Sequence, residues 1–379
     1  MKIGFDAKRA FSNFTGLGNY SRSTLKVLAE HHPEHSYYLY NPRVPNESQI
    51  KFLDLPHHAD VHIRIPKTFF FELFSSAWRR FGIVKDIIKD QIDIYHGLSH
   101  ELPIGIEKIG IKSVVTIHDL IFLRYPEYYK VSERKIYENK FRHACEVSNK
   151  IVAISEQTKN DIIHFFNIKE EKIHVVYQSC ATAFNKQQNE SLIQIIKHKY
   201  HLPERFILTV GTIERRKNAL LILKALQKIE QDVKLVIVGR ATPYTDELKT
   251  YAEVHGLINR IIFLHQIPFE ELPSFYHLAS VFAYPSRFEG FGIPIIEALQ
   301  CGTPVIAANG SCLEEAGGPS SLYVHADDAE GLADAIKTLL AEGKNSERVH
   351  LGKKYAERFQ PENIANEYMK LYRELILEK

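Results

Sequence analysis

The sequence predicts an α/β protein with two doubly wound domains in tandem, each a parallel sheet covered by helices. Along most of the chain, short apolar runs alternate with longer segments of helical spacing, a pattern typical of parallel sheets with helical crossovers. A polar stretch from Ala181 to Pro203 interrupts the alternation, which then begins again. At 379 residues, with 45% hydrophobic and 25% charged residues, the chain is too long for one ordinary core and suits two globular domains.

The first predicted domain covers residues 1–185 and begins with the strand Lys2–Asp6. Its first helix runs from Asn19 to His31, with apolar Leu25 and Leu28 at helical spacing. The remaining predicted elements are strands 92–96, 113–118, 150–155 and 173–177, with helices 133–147 and 156–166 among them.

The second predicted domain covers residues 186–360, and the polar stretch 181–203 is expected to be the linker. Its predicted elements are strands 206–211, 234–239, 260–264, 281–284 and 304–307, with helices 218–229, 244–254 and 271–279. A last helix is predicted in the segment 361–379, where apolar residues recur at helical spacing from Pro361 to Leu377. Doubly wound sheets bind ligands at the carboxyl ends of their strands, so we expect the active site in a cleft between the domains.

Composition excludes several classes of protein. The net charge of +2 gives no reason to expect a nucleic-acid partner, and no apolar run of membrane-spanning length occurs. The start, Met1 to Asp6, is predicted to be a strand and not a signal peptide. Four cysteines without Cys-x-x-Cys spacing predict reduced thiols, with neither a zinc site nor a disulfide framework. The predicted location is cytoplasmic.

The segment from Arg287 to Leu299 is the strongest functional signal. It places Glu289 and Glu297, with seven residues between them, around the turn Gly290-Phe291-Gly292, which opens at Ile293 into an apolar helix. The N–H groups of such a turn and the positive end of the helix suit phosphate oxygens. The two carboxylates then suit hydroxyl groups on either side, which is the layout of a nucleoside diphosphate sugar. Two solvated glutamates beside a turn are the alternative.

This segment resembles the retaining glycosyltransferases of family 4, together with Tyr284-Pro285-Ser286 before it and Gly302-Thr303-Pro304-Val305-Ile306 and Asn309-Gly310-Ser311 beyond it. The resemblance extends over nearly the whole chain. It implies the GT-B architecture, in which the last helix crosses back to the first domain. It also implies retention of anomeric configuration, no required metal and no other cofactor. Glu289 would then hold sugar hydroxyls and Glu297 ribose hydroxyls.

A basic turn, Gly211-Thr212-Ile213-Glu214-Arg215-Arg216-Lys217-Asn218, follows the first strand of the second domain. Adjacent fixed cations can neutralise a diphosphate and stabilise its departure as a leaving group. The resemblance gives this role to Arg216 and Lys217 and leaves Arg215 open. No Asp-x-Asp motif occurs to hold a divalent ion on the diphosphate. A solvated basic turn is the alternative.

The first domain offers the loop Gly16-Leu17-Gly18-Asn19 after its first strand. Ser21 stands where a dinucleotide fingerprint needs its third glycine, but the amides could still approach phosphate. Because the loop matches the resembled family's N-terminal glycine loop, we assign Gly16, Gly18 and Asn19 to donor binding. His118 ends the strand 113–118, and the resemblance places it near the donor sugar. The alternative is a buried structural histidine.

The nucleotide base is expected at the end of the strand 260–264, where the resembled family reads it mostly with backbone groups. His265 and Gln266 follow that strand, and Arg240 after the strand 234–239 is a second candidate for the wall of the site. Gly211 completes the expected donor-binding set. None of these residues specifies a particular base.

Residues 67–81 combine aromatic and basic side chains, including Trp78, Arg79 and Arg80. Such a mixture suits peripheral contact with an anionic membrane surface, where aromatics enter the interface and arginines meet headgroups. It equally suits a groove for a lipid-linked acceptor. The third interpretation is a core-packed helix with two exposed arginines.

These signals predict a hexosyltransferase that uses a nucleotide-sugar donor and a glycan or polyprenyl-linked acceptor. Relatives with a segment like 211–218 resemble mannosyltransferases of bacterial surface-polysaccharide assembly, including lipopolysaccharide, which favours GDP-mannose. One alternative is a UDP-hexose-dependent transferase. A hydrolase, epimerase or phosphorylase of the same fold and a non-catalytic sugar-nucleotide-binding protein are the others. Peripheral contact with the inner face of the plasma membrane stays open.

Overall fold

The computed structural model describes residues 1–67, 74–186 and 189–378, which form two compact units. The first unit contains Met1–Ser179 and Pro361–Lys379, and the second contains Cys180–Gln360. The units therefore meet in the chain after Ser179, ahead of the expected boundary at residue 185. The C-terminal segment belongs to the first unit.

A seven-stranded parallel sheet forms the centre of the first unit. Its strands β1–β7 are Lys2–Asp6, Ser36–Tyr40, Asp60–Arg64, Ile94–Gly97, Lys112–Ile117, Lys150–Ala153 and Ile173–Val175, in the spatial order β3-β2-β1-β4-β5-β6-β7. The strand order reverses between β1 and β4, as in a doubly wound sheet. Strands β2 and β3 were not predicted.

The helices of the first unit cover this sheet. They are Lys8–Ser12, Gly16–His31, Glu47–Phe52, Ser75–Ala77, Ile83–Asp90, Ile121–Arg124, Val131–Val147, Glu156–Phe166 and Pro361–Leu377, with a π-helix at Trp78–Gly82. Capping residues mark both ends of the helix Glu156–Phe166. The Ser155 side chain caps its start by accepting a hydrogen bond from Thr158 N–H, and Asn167 ends it in the left-handed conformation at a φ of 54°.

The C-terminal helix Pro361–Leu377 is held in the first unit by a buried polar network as well as by its apolar face. The Tyr372 hydroxyl lies 2.6 Å from Nδ1 of His96, whose Nε2 lies 2.8 Å from the Thr116 hydroxyl. The Tyr368 hydroxyl bonds to that of Tyr20, which lies 3.0 Å from the Thr116 hydroxyl. Every buried hydroxyl of this network therefore has a partner, as buried polar groups require.

The second unit is built on a six-stranded parallel sheet. Its strands β8–β13 are Phe206–Val210, Lys234–Val238, Ile261–Leu264, Val281–Tyr284, Val305–Ala308 and Leu322–Val324, in the order β10-β9-β8-β11-β12-β13. Its helices are Glu190–Lys199, Ala219–Leu226, Pro243–Val254, Leu272–Leu278, Ile293–Gln300, Leu313–Gly317, Ala329–Glu342 and Glu347–Ala356. Both sheets are parallel and doubly wound, as predicted.

The predicted linker over residues 181–203 is wrong. Glu190–Lys199 is a helix that belongs to the second unit, and its Ile193 and Ile196 are buried. The Asn189 side chain caps it by accepting from Ser191 N–H. The segment is an amphipathic helix with a narrow apolar stripe, so its composition is mostly polar and resembles that of a linker.

Of the aromatic and basic segment 67–81, residues 68–73 lie outside the described residues. Trp78 is 1% exposed and donates from Nε1 to Asp86 at 2.8 Å, so it packs in the core. Arg79 pairs with Asp6 and Glu101, which corrects the expectation of two exposed arginines. Arg80 is exposed. Within the described part of the chain, no helix combines the length and apolar character needed to span a membrane.

Candidate active site

In the second unit, Glu289 lies between Arg216 and Lys217. Its Oε2 is 2.8 Å from Arg216 Nη1 and its Oε1 is 2.6 Å from Lys217 Nζ. The exposed fractions of the three side chains are 12% for Glu289, 23% for Arg216 and 18% for Lys217. Two cations and one carboxylate therefore form a largely buried cluster, and the more exposed Glu214, 2.7 Å from Arg216, balances the second positive charge.

Two residues at the end of β11 hold this carboxylate in place. Ser286 Oγ donates to Glu289 Oε1 at 2.6 Å, and the Tyr284 hydroxyl donates to the same oxygen at 3.2 Å. Lys217 Nζ in turn donates to the Tyr284 hydroxyl at 2.5 Å. The carboxylate is thus oriented by four groups, which fixes it more tightly than an ordinary surface ion pair.

Electrostatics keep Glu289 ionised. Burial alone would raise the pKa of its carboxyl group, but attraction to Lys217 and Arg216 holds the pKa at about 2. Burial acts to lower the pKa of Arg216, and Glu289 and Glu214 outweigh it so that the pKa rises. Glu289 and Arg216 are therefore both charged throughout the physiological range.

Arg215, the third basic residue of the turn, points away from this cluster. Its side chain is 74% exposed and pairs with Glu247. Its guanidinium also lies 5.3 Å from the centre of the Tyr244 ring. The structure therefore separates Arg216 and Lys217 from their neighbour.

The turn that follows Glu289 presents unused backbone donors. Gly292 has a φ of 141° and caps the helix Ile293–Gln300. A Cβ on Gly292 would lie 3.0 Å from the Ala316 Cβ, so both conformation and packing favour glycine here. Within the described residues, the N–H groups of Gly290, Gly292 and Ile293 donate no hydrogen bond. Phe291 is buried, with its ring centre 5.5 Å from that of Phe359.

Glu297 has the opposite environment to Glu289. It is 9% exposed, and its Oε2 accepts a hydrogen bond of 2.6 Å from the Tyr276 hydroxyl. Burial raises the pKa of this carboxyl group to about 7, against the smaller opposing effect of that hydrogen bond. One carboxylate of the pair is firmly ionised and the other is poised to gain or lose a proton near neutrality.

The residues expected around the base lie beyond β9 and β10. His265 Nδ1 donates to the Gly239 carbonyl at 2.7 Å, since a carbonyl can only accept. Gln266 adopts a φ of 57°, and Arg240 is exposed. A Cβ on Gly239 would lie 1.8 Å from the Gly211 carbonyl oxygen, and Gly211 itself has a φ of 140°. Close approach of two turns therefore requires both glycines.

In the first unit, two amides of the glycine loop are already hydrogen-bonded within the loop. Gly18 N–H donates to the Thr15 carbonyl at 3.0 Å, and so does Asn19 N–H. The Asn19 side chain accepts from Arg22 Nη2 at 2.6 Å. A Cβ on Gly18 would lie 1.8 Å from the Asn13 carbonyl oxygen, whereas nothing lies within 4 Å of a Cβ on Gly16. Packing against Asn13 is enough to explain Gly18.

His118 directly follows β5 and is 5% exposed. Its Nε2 donates to the Leu98 carbonyl at 2.9 Å, which leaves Nδ1 as the acceptor of the neutral ring. Burial lowers the pKa of His118 to about 4. The ring is therefore neutral at pH 7, and it packs edge-on against Tyr20 at 4.4 Å between ring centres.

Two family models match the chain. The model described as Glycosyltransferase Family 4 matches residues 14–183, and that described as Glycosyl transferases group 1 matches residues 193–358. The chain belongs to glycosyltransferase family 4.

Two relatives illustrate where this family-4 glycosyltransferase lies among similar sequences. It is 27% identical over 390 residues to O-antigen chain mannosyltransferase B of Escherichia coli. The alignment covers 98% of this chain and 100% of the relative. It is 31% identical over 229 residues to O-antigen chain mannosyltransferase RfbU of Salmonella typhimurium. This alignment covers 59% of this chain and 60% of that relative.

Solved structures agree on the fold. A glycosyltransferase from Rickettsia africae has a TM-score of 0.78 at 18% identity, covering 100% of this chain and 99% of the other. Sucrose-phosphate synthase from Thermosynechococcus elongatus has a TM-score of 0.75 at 20% identity, with 100% of both chains covered. Anabaena HepE in complex with UDP has a TM-score of 0.75 at 19% identity, covering 99% and 100%. With the two parallel sheets, these similarities show the GT-B fold.

The structure adds residues with no predicted role to this family-4 site. Tyr284 and Ser286 orient Glu289, and Tyr276 holds Glu297. Tyr284 and Ser286 were visible only as part of a family motif, and nothing near Tyr276 in the sequence points to Glu297. Of the predicted catalytic residues, Glu289, Arg216 and Lys217 are in contact, while His118 belongs to the other unit.

Proposed function

We propose that this glycosyltransferase moves mannose from GDP-mannose to a hydroxyl group of a glycan or polyprenyl-linked glycan, with retention of configuration and without a metal ion. The observation that carries the proposal is the Arg216–Lys217 pair against Glu289, in a turn whose sequence resembles that of mannosyltransferases. The names of the two O-antigen mannosyltransferases support mannose as the sugar.

The donor diphosphate binds Arg216 and Lys217 in this proposal. Arg216 and Lys217 together carry two positive charges, and a diphosphate brings at least two negative charges to replace their present carboxylate partners. The N–H groups of Gly292 and Ile293 at the positive end of their helix offer further hydrogen bonds to phosphate oxygens. Arg216 and Lys217 thereby take the part that a divalent cation plays on a diphosphate elsewhere.

The two glutamates bind the two sugars of the donor. Glu289 gives up part of its contact with the cations and accepts hydrogen bonds from the hydroxyls of the transferred hexose. Glu297 accepts hydrogen bonds from ribose hydroxyls and releases its proton when it does so, because hydroxyl donors favour the ionised carboxylate.

The low pKa of Glu289 argues against its acting as the nucleophile, since a carboxylate held by two cations and two hydroxyls is a weak base. The leaving phosphate itself then accepts the proton. The bond between the anomeric carbon and the phosphate oxygen breaks, and the acceptor oxygen bonds to that carbon on the same face. The acceptor proton passes to the phosphate, and GDP leaves.

The test is a side-by-side assay of GDP-mannose, UDP-glucose, UDP-galactose and UDP-N-acetylglucosamine in EDTA, with a mannose-terminated glycan as acceptor. We expect the tightest binding and fastest turnover with GDP-mannose, and NMR of the product should show the donor's anomeric configuration. Preference for a UDP sugar would refute the donor. Inversion, or rescue of activity by Mg²⁺ or Mn²⁺ after EDTA, would refute the mechanism. Equal release of GDP with and without acceptor would indicate a hydrolase.

A further inference from the structure

The first unit contains a cavity of about 780 Å³ at the carboxyl ends of its strands. Asp6, the last residue of β1, lines it, as do Asn41 after β2 and Glu101 after β4. Strands β1 and β4 flank the point at which the strand order of the sheet reverses. In doubly wound sheets that switch point is where ligands bind.

The lining of this cavity is strongly basic. Six lysine or arginine side chains face only two acidic ones, so four positive charges are in surplus. The two acidic side chains, Asp6 and Glu101, are neutralised by Arg79 and Lys140. Arg79 bonds to Asp6 and to Glu101, at 2.7 Å from the latter, and Lys140 lies 3.3 Å from Glu101.

The surplus belongs to Lys8, Arg9, Arg43 and Arg80. Within residues 1–67, 74–186 and 189–378, none of the four forms an ion pair. Burial, followed by repulsion from Arg79 and Arg9, lowers the pKa of Lys8 and outweighs the attraction of Asp6 and Glu101. Four uncompensated cations at one cavity favour an anionic ligand.

A second, independent observation points to a ligand. His143 also lines the cavity, and its Nε2 is buried without a hydrogen-bond partner among the described residues. Buried polar atoms normally have partners, because leaving one unpaired costs about 1–3 kcal/mol. A rotation of the His143 ring that turns Nε2 into the cavity would let an oxyanion there supply the missing partner.

We propose that this cavity binds a phosphate or diphosphate ester carried by the acceptor. The assignment of the ester to the acceptor rests on the proposed function, because the donor is assigned to the second unit. Val44, Ile104 and Tyr137 give the cavity an apolar lining, and their exposed fractions of 75%, 37% and 38% leave them open to a hydrocarbon chain. The diphosphate of an isoprenoid-linked glycan and a phosphorylated glycan share the chemistry that the cations recognise.

The test is calorimetric titration with inorganic pyrophosphate, geranyl diphosphate and geraniol. It uses the full chain carrying Arg216→Gln and Lys217→Gln, so that the proposed donor site does not compete for the probes. Two further pairs of substitutions are compared in this background. Arg43→Gln with Arg80→Gln removes two exposed cations of the cavity, and Lys85→Gln with Lys169→Gln removes two exposed cations elsewhere in the same unit.

Pyrophosphate should bind saturably, and the Arg43 and Arg80 pair of substitutions should weaken it at least about 30-fold, since each removes a charge-assisted contact. The control pair should change its affinity less than about two-fold, because neither lysine lines the cavity and solvent screens exposed charges. No saturable binding, or equal losses from the two pairs, would overturn the proposal.

The organic probes distinguish the sources of the ester. Tighter binding of geranyl diphosphate than of pyrophosphate supports a lipid-linked diphosphate, equal binding supports a phosphorylated glycan, and binding of geraniol as tight as that of its diphosphate overturns the anion site. No step of this test uses GDP-mannose or transfer. Pyrophosphate binding without use of GDP-mannose therefore refutes only the proposed function, and transfer without pyrophosphate binding refutes only the cavity.

Discussion

Glu289→Gln should tighten the binding of GDP while slowing transfer. In the unliganded protein, the Glu289 carboxylate occupies the two cations that we assign to the diphosphate, at 2.8 Å from Arg216 and 2.6 Å from Lys217. A diphosphate must compete with that carboxylate and then remain beside its negative charge. Glutamine keeps the shape and hydrogen-bonding capacity of the side chain but removes the charge.

The size of the effect follows from the pKa. A pKa of about 2 for Glu289, in place of 4.5, means that its surroundings favour the ionised carboxylate by about 3 kcal/mol, at about 1.36 kcal/mol per pKa unit. GDP binding must displace between a third and all of this interaction between Glu289 and the cations. Removing the Glu289 charge therefore strengthens GDP binding by about 1–3 kcal/mol, or about 5- to 150-fold. The unliganded variant should lose about 3–5 kcal/mol of stability, because two partly buried cations lose their partner.

The assay is titration of GDP by calorimetry, with thermal unfolding measured with and without GDP. Glu214→Gln is the matched control, because Glu214 contacts Arg216 at 2.7 Å but is 39% exposed and does not contact Lys217. We expect that control to change GDP affinity less than about three-fold, as for an exposed ion pair. Unchanged or weaker GDP binding in Glu289→Gln would refute the reasoning.

Three further predictions concern stability. Gly18→Ala should destabilise the protein by about 3 kcal/mol or more, because its Cβ would lie 1.8 Å from the Asn13 carbonyl oxygen, whereas Gly16→Ala should change stability less than about 1 kcal/mol in urea unfolding. The folded protein keeps the Glu297 proton up to a pKa of about 7, so the contribution of Glu297 to stability should fall by about 3 kcal/mol as pH rises from 4.5 through 7. The difference in urea midpoint between the wild type and Glu297→Gln should therefore shift against the wild type between pH 5 and pH 8, and a constant difference would contradict the raised pKa. His96 and His118 have pKa values of about 3 and about 4, so the unfolded chain binds their protons first below pH 6.5, and their contribution to stability should fall between pH 6.5 and pH 5. His118→Gln should flatten that slope by at most about 1.4 kcal/mol per pH unit, and an unchanged slope would contradict the burial of a neutral ring.

The alternation of apolar runs was enough to predict both parallel sheets, because buried parallel strands are short continuous apolar segments. Strands β2 and β3 were not predicted, and the reason is physical. Ser36–Tyr40 is mostly tyrosine, and Asp60–Arg64 is an edge strand with polar and charged residues, so neither forms an apolar run. The helix Glu190–Lys199 escaped because only Ile193 and Ile196 are buried in an otherwise polar segment.

The candidate site was predictable as a set of residues and not as a geometry. Arg216, Lys217 and Glu289 come from motifs, but their mutual ion pairs join positions more than 70 residues apart, and no local pattern encodes such a contact. The same limit applies to the first unit. The sequence places Gly18 in a phosphate-like loop, while only the structure shows that its amide is already bonded and that Asn13 leaves no room for a side chain.

Titration of GDP-mannose in EDTA into Arg216→Gln with Lys217→Gln, and separately into Arg215→Gln, tests the central claim most directly. Arg215 is the neighbouring cation of the same turn, 74% exposed and paired with Glu247, so it controls for loss of charge. The double variant should bind GDP-mannose at least about 100-fold more weakly, because it loses two charge-assisted contacts to phosphate, and Arg215→Gln should bind within about two-fold of the wild type. Wild-type affinity in the double variant, or an equal loss in Arg215→Gln, would contradict the assignment of the diphosphate to Arg216 and Lys217.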